Sequence, residues 1–417
     1  MNTKEFSTTQ LFQGLKGSGA DAAGLGVLPW PSIKDDAWKY TSLASLAEQS
    51  FKPAQRPEGA VPEQAKGFLV PEAVNLVFLN GFFVTASSDT CKIPKGWTVL
   101  TGEKALSAIA RETEHTLRGT KNDSKLFLEL NRLYSQDALW LDIPAGVKAP
   151  APLHVLQLLD SSAGKIAAFP RGFIKVGALS QLAVLETFVS LDQGEYFANP
   201  CLDIVLGEGA ALERAQSHQD SVLGFHVGST RAWLAKDSRL RTFMFSGGAK
   251  MFRDNLSVVL EGEGSDVTLN GLHALQGDRH VDSHTFVEHV APNARSNQLY
   301  KCILEERSHS VFNGRIFVGR EAQLTNSYQL NKNLLLSSEC RVDTKPQLEI
   351  GADDVKCTHG ATIGQLSEEE IFYLQTRGID RPAAGRMLIR GFMEDVLGQI
   401  NDSLLRAAVS KTAVTRQ

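Results

Sequence analysis

A chain of 417 residues, 42% hydrophobic and 22% charged, has room for two or three domains with sizeable cores. Its net charge of −4, with the basic residues scattered, gives no electrostatic case for nucleic acid or an acidic membrane surface. Five cysteines, odd in number and without a C-x-x-C pair, encode neither a disulfide framework nor a four-cysteine metal site and point to free thiols in a reducing cytosol.

The N-terminal segment lacks a signal-like apolar region, and no run of ~18 apolar residues is present, so no membrane helix is expected. Leu11, Phe12 and Leu15 share one face of a short amphipathic helix. Gly17-Ser18-Gly19-Ala20-Asp21-Ala22 then imitates a dinucleotide fingerprint. That fingerprint needs a strand before it and a helix after it; here a helix-like segment precedes it, so the run reads as a connector. After Trp38-Lys39-Tyr40-Thr41 comes a Pro-rich linker from Pro53 to Pro71, then a strand-like run at Asn75 to Leu79 and helix-like runs at Glu103 to Leu117 and Leu126 to Tyr134. Residues 1–138 are assigned to an N-terminal helical and mixed domain.

From about Leu139 to Ile350 helical periodicity fades, and short runs alternate apolar with polar: Leu202/Ile204/Leu206, Val267/Leu269, Ile316/Val318. A faint repeat links residues 207–213, 262–268 and 319–325, each a polar turn, a small residue and then an inward apolar one. Strands returning after regular turns suit a solenoid whose coils bury their apolar faces on one another. Asn326, Asn331 and Asn333 fit stacked turns with amide hydrogen bonds between coils. A two-sheet sandwich is the rival reading. The β domain is set at residues 139–366.

Residues 367–417 read as a C-terminal helical domain. Ser367-Glu368-Glu369-Glu370 is a capping box with its carboxylates at the positive end of the helix dipole. Gly378 stops this helix, Asp380 caps the next, Pro382 sits in its first turn, and the second helix is expected to run to about Val409. Its two apolar stripes, Leu388/Phe392/Val396 and Ile389/Met393/Leu397, suit either a buried terminal helix or one that also meets another chain.

The chain has no G-x-x-x-x-G-K-[ST], G-x-S-x-G or H-E-x-x-H motif, so no nucleotide is expected to bind directly and no enzyme motif is evident. His280, Asp282 and His284 alternate on one strand face; they form a weak metal-site alternative, though such alternation also marks a solvated strand face. In Val355-Lys356-Cys357-Thr358-His359, an inward Val355 puts Cys357 and His359 on the same face. A thiol and an imidazole so placed can reach one metal or cluster iron, and Lys356 is expected to lower the thiol pKa. A buried cysteine beside a histidine bonded to backbone would leave the same pattern. Two ligands cannot complete a cluster site, so a functional site here needs a second chain.

Thr344 to Ile350, Asp353-Asp354-Val355-Lys356-Cys357-Thr358-His359-Gly360-Ala361-Thr362 and Ile371 to Ile379 resemble the signature of the SufB/SufD family, its D-type branch most closely. Trp38 to Thr41, Ala322 to Thr325 and Leu334 to Ser337 extend the likeness over nearly the whole chain. The resemblance implies a right-handed parallel β-helix core flanked by N-terminal and C-terminal helical domains. It implies a non-catalytic scaffold subunit for iron–sulfur cluster assembly that pairs with a B-type paralogue through the β-helix ends and docks a SufC-like ABC ATPase on its C-terminal domain. A homodimer of the isolated chain is left open. By the same resemblance, His359 is the D-side ligand of a transient cluster at the interface, Cys357 is its neighbour, and Asn331 stands where the B-type carries a cysteine. The ATPase surface is assigned to Phe372, Tyr373, Leu388 and Phe392. The alternatives are a carbohydrate-active β-helix enzyme, which needs paired carboxylates and aromatics along a groove, and a metal-binding protein using the His280 cluster.

Overall fold

A computed structural model describes residues 30–116 and 125–414; the expected first helix and the Gly17–Ala22 connector lie outside them. Two long sheets dominate. In chain order their strands are β1 (Val74–Leu79), β2 (Leu139–Ile143), β3 (Leu153–Leu159), β4 (Arg171–Val176), β5 (Gln181–Ser190) and β6 (Cys201–Leu206). They continue as β7 (Ala211–Gln219), β8 (Phe225–Leu234), β9 (Arg239–Ser246), β10 (Met251–Leu260), β11 (Asp266–Leu275) and β12 (His280–His289). The last coils hold β13 (Arg295–Leu304), β14 (His309–Val318), β15 (Thr325–Leu335), β16 (Arg341–Ile350) and β17 (Val355–Gly364).

Odd strands form one sheet and even strands the other, and every neighbouring pair within each series is parallel. The chain alternates between the sheets as it climbs. This is a β-solenoid of about eight turns, and the sandwich alternative is excluded by the unbroken parallel register. The ladder starts upstream of residue 139: β1 pairs with β3, so part of the expected N-terminal domain belongs to the stack. All six residues of β1 are buried, the continuous apolar run expected of a parallel strand covered on both faces.

Side chains align in columns because each coil repeats the register of the one below. One inward column of the odd sheet runs Leu182, Leu212, Leu240, Val267, Ser296, Ser327, Cys357. Its aliphatic part joins the central core with Ile204, Val258, Val287 and Ile316 of the even sheet. The corners stack too. Gly262 is required at one of them, since a Cβ there would lie 1.9 Å from the Lys236 nitrogen and 2.3 Å from the Ala235 carbonyl carbon. Asn331 and Asn333 lie on strand β15 rather than in turns, but their amides do bond between coils, to the carbonyls of Tyr300 and Thr362. Asn326 is exposed.

The first coils are closed by antiparallel additions, Phe82–Phe83 on β1 and Thr98–Thr101 on β2. Helix α1 (Gly102–Thr116) packs Ala105 and Ile109 against Trp140 and Phe173. Helix α2 (Lys125–Tyr134) buries Leu126, Phe127, Leu130 and Leu133, at helical spacing, in a cluster with Trp38, Phe51 and Phe197. Trp38 and Thr41 are held by the even sheet. Arg253, fully buried, lies 3.7 Å from the Trp38 ring centroid and donates to the Ala37 carbonyl at 2.8 Å, while the Thr41 hydroxyl donates to Asp282 at 2.5 Å.

After β17 come α3 (Glu368–Thr376), α4 (Arg381–Leu397) and α5 (Ser403–Val414). Ser367 caps α3 by accepting from the Glu370 N–H, Gly378 takes φ +85° beyond it, and Asp380 caps α4 by accepting from the Ala383 N–H. The second helix does not reach Val409 in one piece. It ends at Leu397; the Glu213 carboxylate accepts N–H bonds from Asn401 and Asp402, and Asp402 caps a new helix through Leu404 and Leu405. Both α4 and α5 return to the outer face of the odd sheet, where Met393, Val396, Leu397, Leu405 and Val409 join Leu185, Phe243, Leu272 and Ile303.

Candidate functional site

The far end of the solenoid is bare among the described residues. Strand β17 is exposed or half-exposed along its whole length and β16 along all of its own, because α4 and α5 lie against a sheet face, with α3 packed on α4, rather than across the last coil. Each of these two strands therefore leaves one backbone edge without a neighbour.

Cys357 and His359 lie on β17 at this end. Val355 and Cys357 pack against the central core, so the odd-numbered positions of β17 continue the inward columns. Two positions along a strand is a spacing of ~6.6 Å. Beneath Cys357 lie Ser327 and Ser296, hydroxyl to hydroxyl at 2.7 Å, with His289 Nε2 2.9 Å from Ser296. Beneath His359 lie Gln329 and Gln298 in register, and Gln298 accepts from Thr285 at 2.7 Å. The interior thus changes from aliphatic to polar over its last coils and finishes in a thiol and an imidazole. Cys357 is half-buried, His359 is exposed, and the amide atoms of the buried Gln329 below have no hydrogen-bond partner among the described residues.

One electrostatic expectation is corrected. Lys356 does not lower the Cys357 thiol; burial pushes that thiol up, and the hydrogen bond from the Ser327 backbone only partly offsets it. Lys356 is adjacent in sequence, and successive strand residues face opposite ways. Two buried thiols are poorer donors still: burial drives both Cys201 and Cys302 up to about 12.

His280, Asp282 and His284 do share one face of β12, but both His280 ring nitrogens and one Asp282 oxygen are already hydrogen-bonded. Asp282 accepts from Arg253 at 2.8 Å as well as from Thr41, His284 Nε2 lies 3.1 Å from it, and His280 meets His309 at 3.1 Å. A guanidinium already neutralises the carboxylate. Among the described residues the compact His/carboxylate group is a different one, His218, Asp220 and His226. Sequence reading passed over it because its members straddle a strand end and a turn.

Of the residues assigned to ATPase docking, Phe372 and Tyr373 stand 68% and 57% exposed on α3. Leu388 is half-buried, and Phe392 packs towards the odd sheet with its ring 4.2 Å from Lys301 Nζ. Both apolar stripes of α4 therefore contribute to its seat on the solenoid.

A family model described as the SUF system FeS cluster assembly, SufBD core domain, matches residues 158–392, the stretch that builds most of the coils and most of α4. The chain belongs to the SufBD family. It is 36% identical to an iron–sulfur cluster assembly SufBD family protein of Synechocystis, over 90% of this chain and 85% of that one. To the iron–sulfur cluster assembly protein SufD of Escherichia coli it is 30% identical, over 91% and 87%. An Arabidopsis thaliana relative, protein ABCI7, chloroplastic, is 29% identical over 91% and 81%. The chain is thus SufD-like, with a role in iron–sulfur cluster assembly. No helix among the described residues is long and apolar enough to cross a membrane.

Proposed function

We propose that the chain is a non-catalytic, cytosolic scaffold subunit whose bare solenoid end pairs with the matching end of a B-type paralogue. The observation that carries this reading is the conjunction of two unpaired parallel edges with Cys357 and His359 at the same end. An exposed strand edge is a template for another strand, and proteins that do not use one normally cover or charge it. Pro346 within β16, which removes one backbone donor, limits how continuous that added pairing is.

In this reading the cluster is cargo. Cys357 and His359 offer one sulfur and one nitrogen, and the remaining ligands come from the paralogue; thiolate and imidazole are both accepted by cluster iron. The rise in the Cys357 pKa keeps the thiol protonated until iron or a partner's charge displaces the proton. The polar floor of Ser327 and Gln329 holds the two side chains over hydrogen-bonding groups rather than hydrocarbon. A SufC-like ATPase docks on the α3 surface around Phe372, Tyr373 and Leu388, and its nucleotide-driven dimerisation shifts α3 and α4 relative to the coils and alters the interface.

The test is co-purification with the paralogue and the ATPase, followed by His359→Ala. The variant should keep the three-component complex and lose cluster assembly in cells. Wild-type assembly by that variant, or a chain that never associates with the paralogue, overturns the reading.

A further inference from the structure

A second set of metal-binding side chains lies inside the solenoid, five coils from the bare end. His218 is the penultimate residue of β7, in register with Phe188, Asp220 stands in the turn that follows, and His226 is the second residue of β8. All three are buried, and one ligand atom from each lies within 4.8 Å of the others. Asp220 Oδ1 accepts from the Tyr196 hydroxyl at 2.7 Å and lies 3.2 Å from His226 Nδ1. Asp220 Oδ2 and both ring nitrogens of His218 have no hydrogen-bond partner among the described residues. His218 Nδ1 approaches Asp220 Oδ2 only to 3.8 Å, too far for such a bond.

Packing fixes the two rings. Phe188 stacks on His218 at 4.7 Å, Phe252 on His226 at 4.8 Å, and the imidazoles meet edge to face at 5.0 Å. Locked rotamers of this kind suit a preorganised ligand set. The charge balance points the same way. A buried carboxylate is ordinarily paired with a cation or bound to a metal, yet the ion-pair partners of Asp220 among the described residues are the two histidines. The nearby Arg214 guanidinium is taken by Glu186 at 2.5 Å. The adjoining cavity of about 40 Å³, bordered by His218, His226, Arg214 and Asp254, has room for an ion or a water and none for an organic ligand.

We propose that His218, Asp220 and His226 bind a divalent first-row transition metal ion, with Tyr196 positioning the carboxylate. Two imidazoles and one carboxylate are a donor set that ferrous iron and zinc both accept. The unpartnered atoms of His218 and Asp220 become ligands, and His226 supplies the third. The site lies ~24 Å from Cys357 at ~4.8 Å per coil, so it stands or falls independently of the terminal cluster site.

The full-length chain, stripped with chelator and titrated with Co(II) or Zn(II), should take up one equivalent at this site. The cobalt form should show the visible absorption of a low-symmetry nitrogen/oxygen site, and X-ray absorption of the zinc form should show scattering from two imidazoles. His218→Ala and Asp220→Asn should each lose that equivalent, the second with nearly unchanged side-chain shape and a wild-type circular dichroism spectrum. Tyr196→Phe should weaken binding by about 10-fold or more, and His284→Ala should leave it intact. A wild-type chain that takes up neither metal overturns the proposal, as does metal uptake that survives Asp220→Asn or disappears with His284→Ala.

Discussion

Replacing Arg253 with methionine removes a guanidinium that is fully buried and hydrogen-bonded through Nε and Nη1. It donates to Asp282 at 2.8 Å, Ala37 at 2.8 Å and Asn255 at 3.0 Å, and it lies against the Trp38 ring. Methionine keeps much of the volume but leaves the Asp282 carboxylate, 1% exposed, with the Thr41 hydroxyl and His284 as its closest remaining partners among the described residues. Breaking a buried pair from one side costs about 3–5 kcal/mol, and loss of a desolvated cation–π contact adds about 2 kcal/mol. Allowing for the packing that methionine restores, we expect a loss of about 4–5 kcal/mol by urea unfolding, followed by circular dichroism and tryptophan fluorescence. Asp282→Asn in the Arg253→Met background should recover at least about 2 kcal/mol of that loss, because the stranded charge is then gone. Acid provides a second check. Burial raises the Asp282 pKa, but His284 and Arg253 outweigh it and hold the carboxyl well below the usual range. A depressed folded-state pKa stabilises above the unfolded value of about 4 and loses that contribution as pH falls towards the folded value. The stability gap between wild type and Asp282→Asn should therefore narrow below about pH 4. A cost under about 1 kcal/mol for Arg253→Met, or a double variant whose losses simply add, would refute the idea that this ion pair clamps the Trp38–Thr41 segment to the coils.

Three further outcomes follow from the geometry. Gly262→Ala should abolish soluble folded protein or cost more than about 3 kcal/mol, since the new Cβ collides with backbone rather than with a flexible side chain; near-normal urea unfolding would count against the stacked-corner account. Alkylation of Cys357 should rise with a midpoint above the ~8.5 of a free thiol, and Lys356→Gln should leave that midpoint unmoved. Phe372→Ser should weaken ATPase binding by about 2 kcal/mol, roughly 30-fold, while changing the unfolding midpoint of the isolated chain very little.

The parts of the fold readable from sequence were those that depend on near neighbours. Ser367, Gly378 and Asp380 act within one helical turn, and each does what its type and position imply. The inward placement of Val355 and Cys357 follows from two-residue alternation once either is known to face the core. The break in the second C-terminal helix was missed because its deciding partner, Glu213, is 188 residues from Asn401. Solenoid and sandwich look alike locally, since only the pairing of each strand with the strand two places on separates them. Family resemblance supplied that long-range information and the role expected of Cys357 and His359, whose common face was legible from the alternation alone. The His218 cluster escaped notice for a related reason: its three ligands come from a strand end, a turn and the next strand, so no single periodicity links them.

The two ends of the stack also set how far association can go. Phe82–Phe83 and Thr98–Thr101 run antiparallel to the first coils and seal them, whereas β16 and β17 are left open. A molecule with only one adhesive end cannot propagate by strand stacking: once two such ends meet, neither subunit has another to offer. Under the end-to-end pairing proposed above, this geometry limits assembly to head-to-head dimers and does not extend it to filaments.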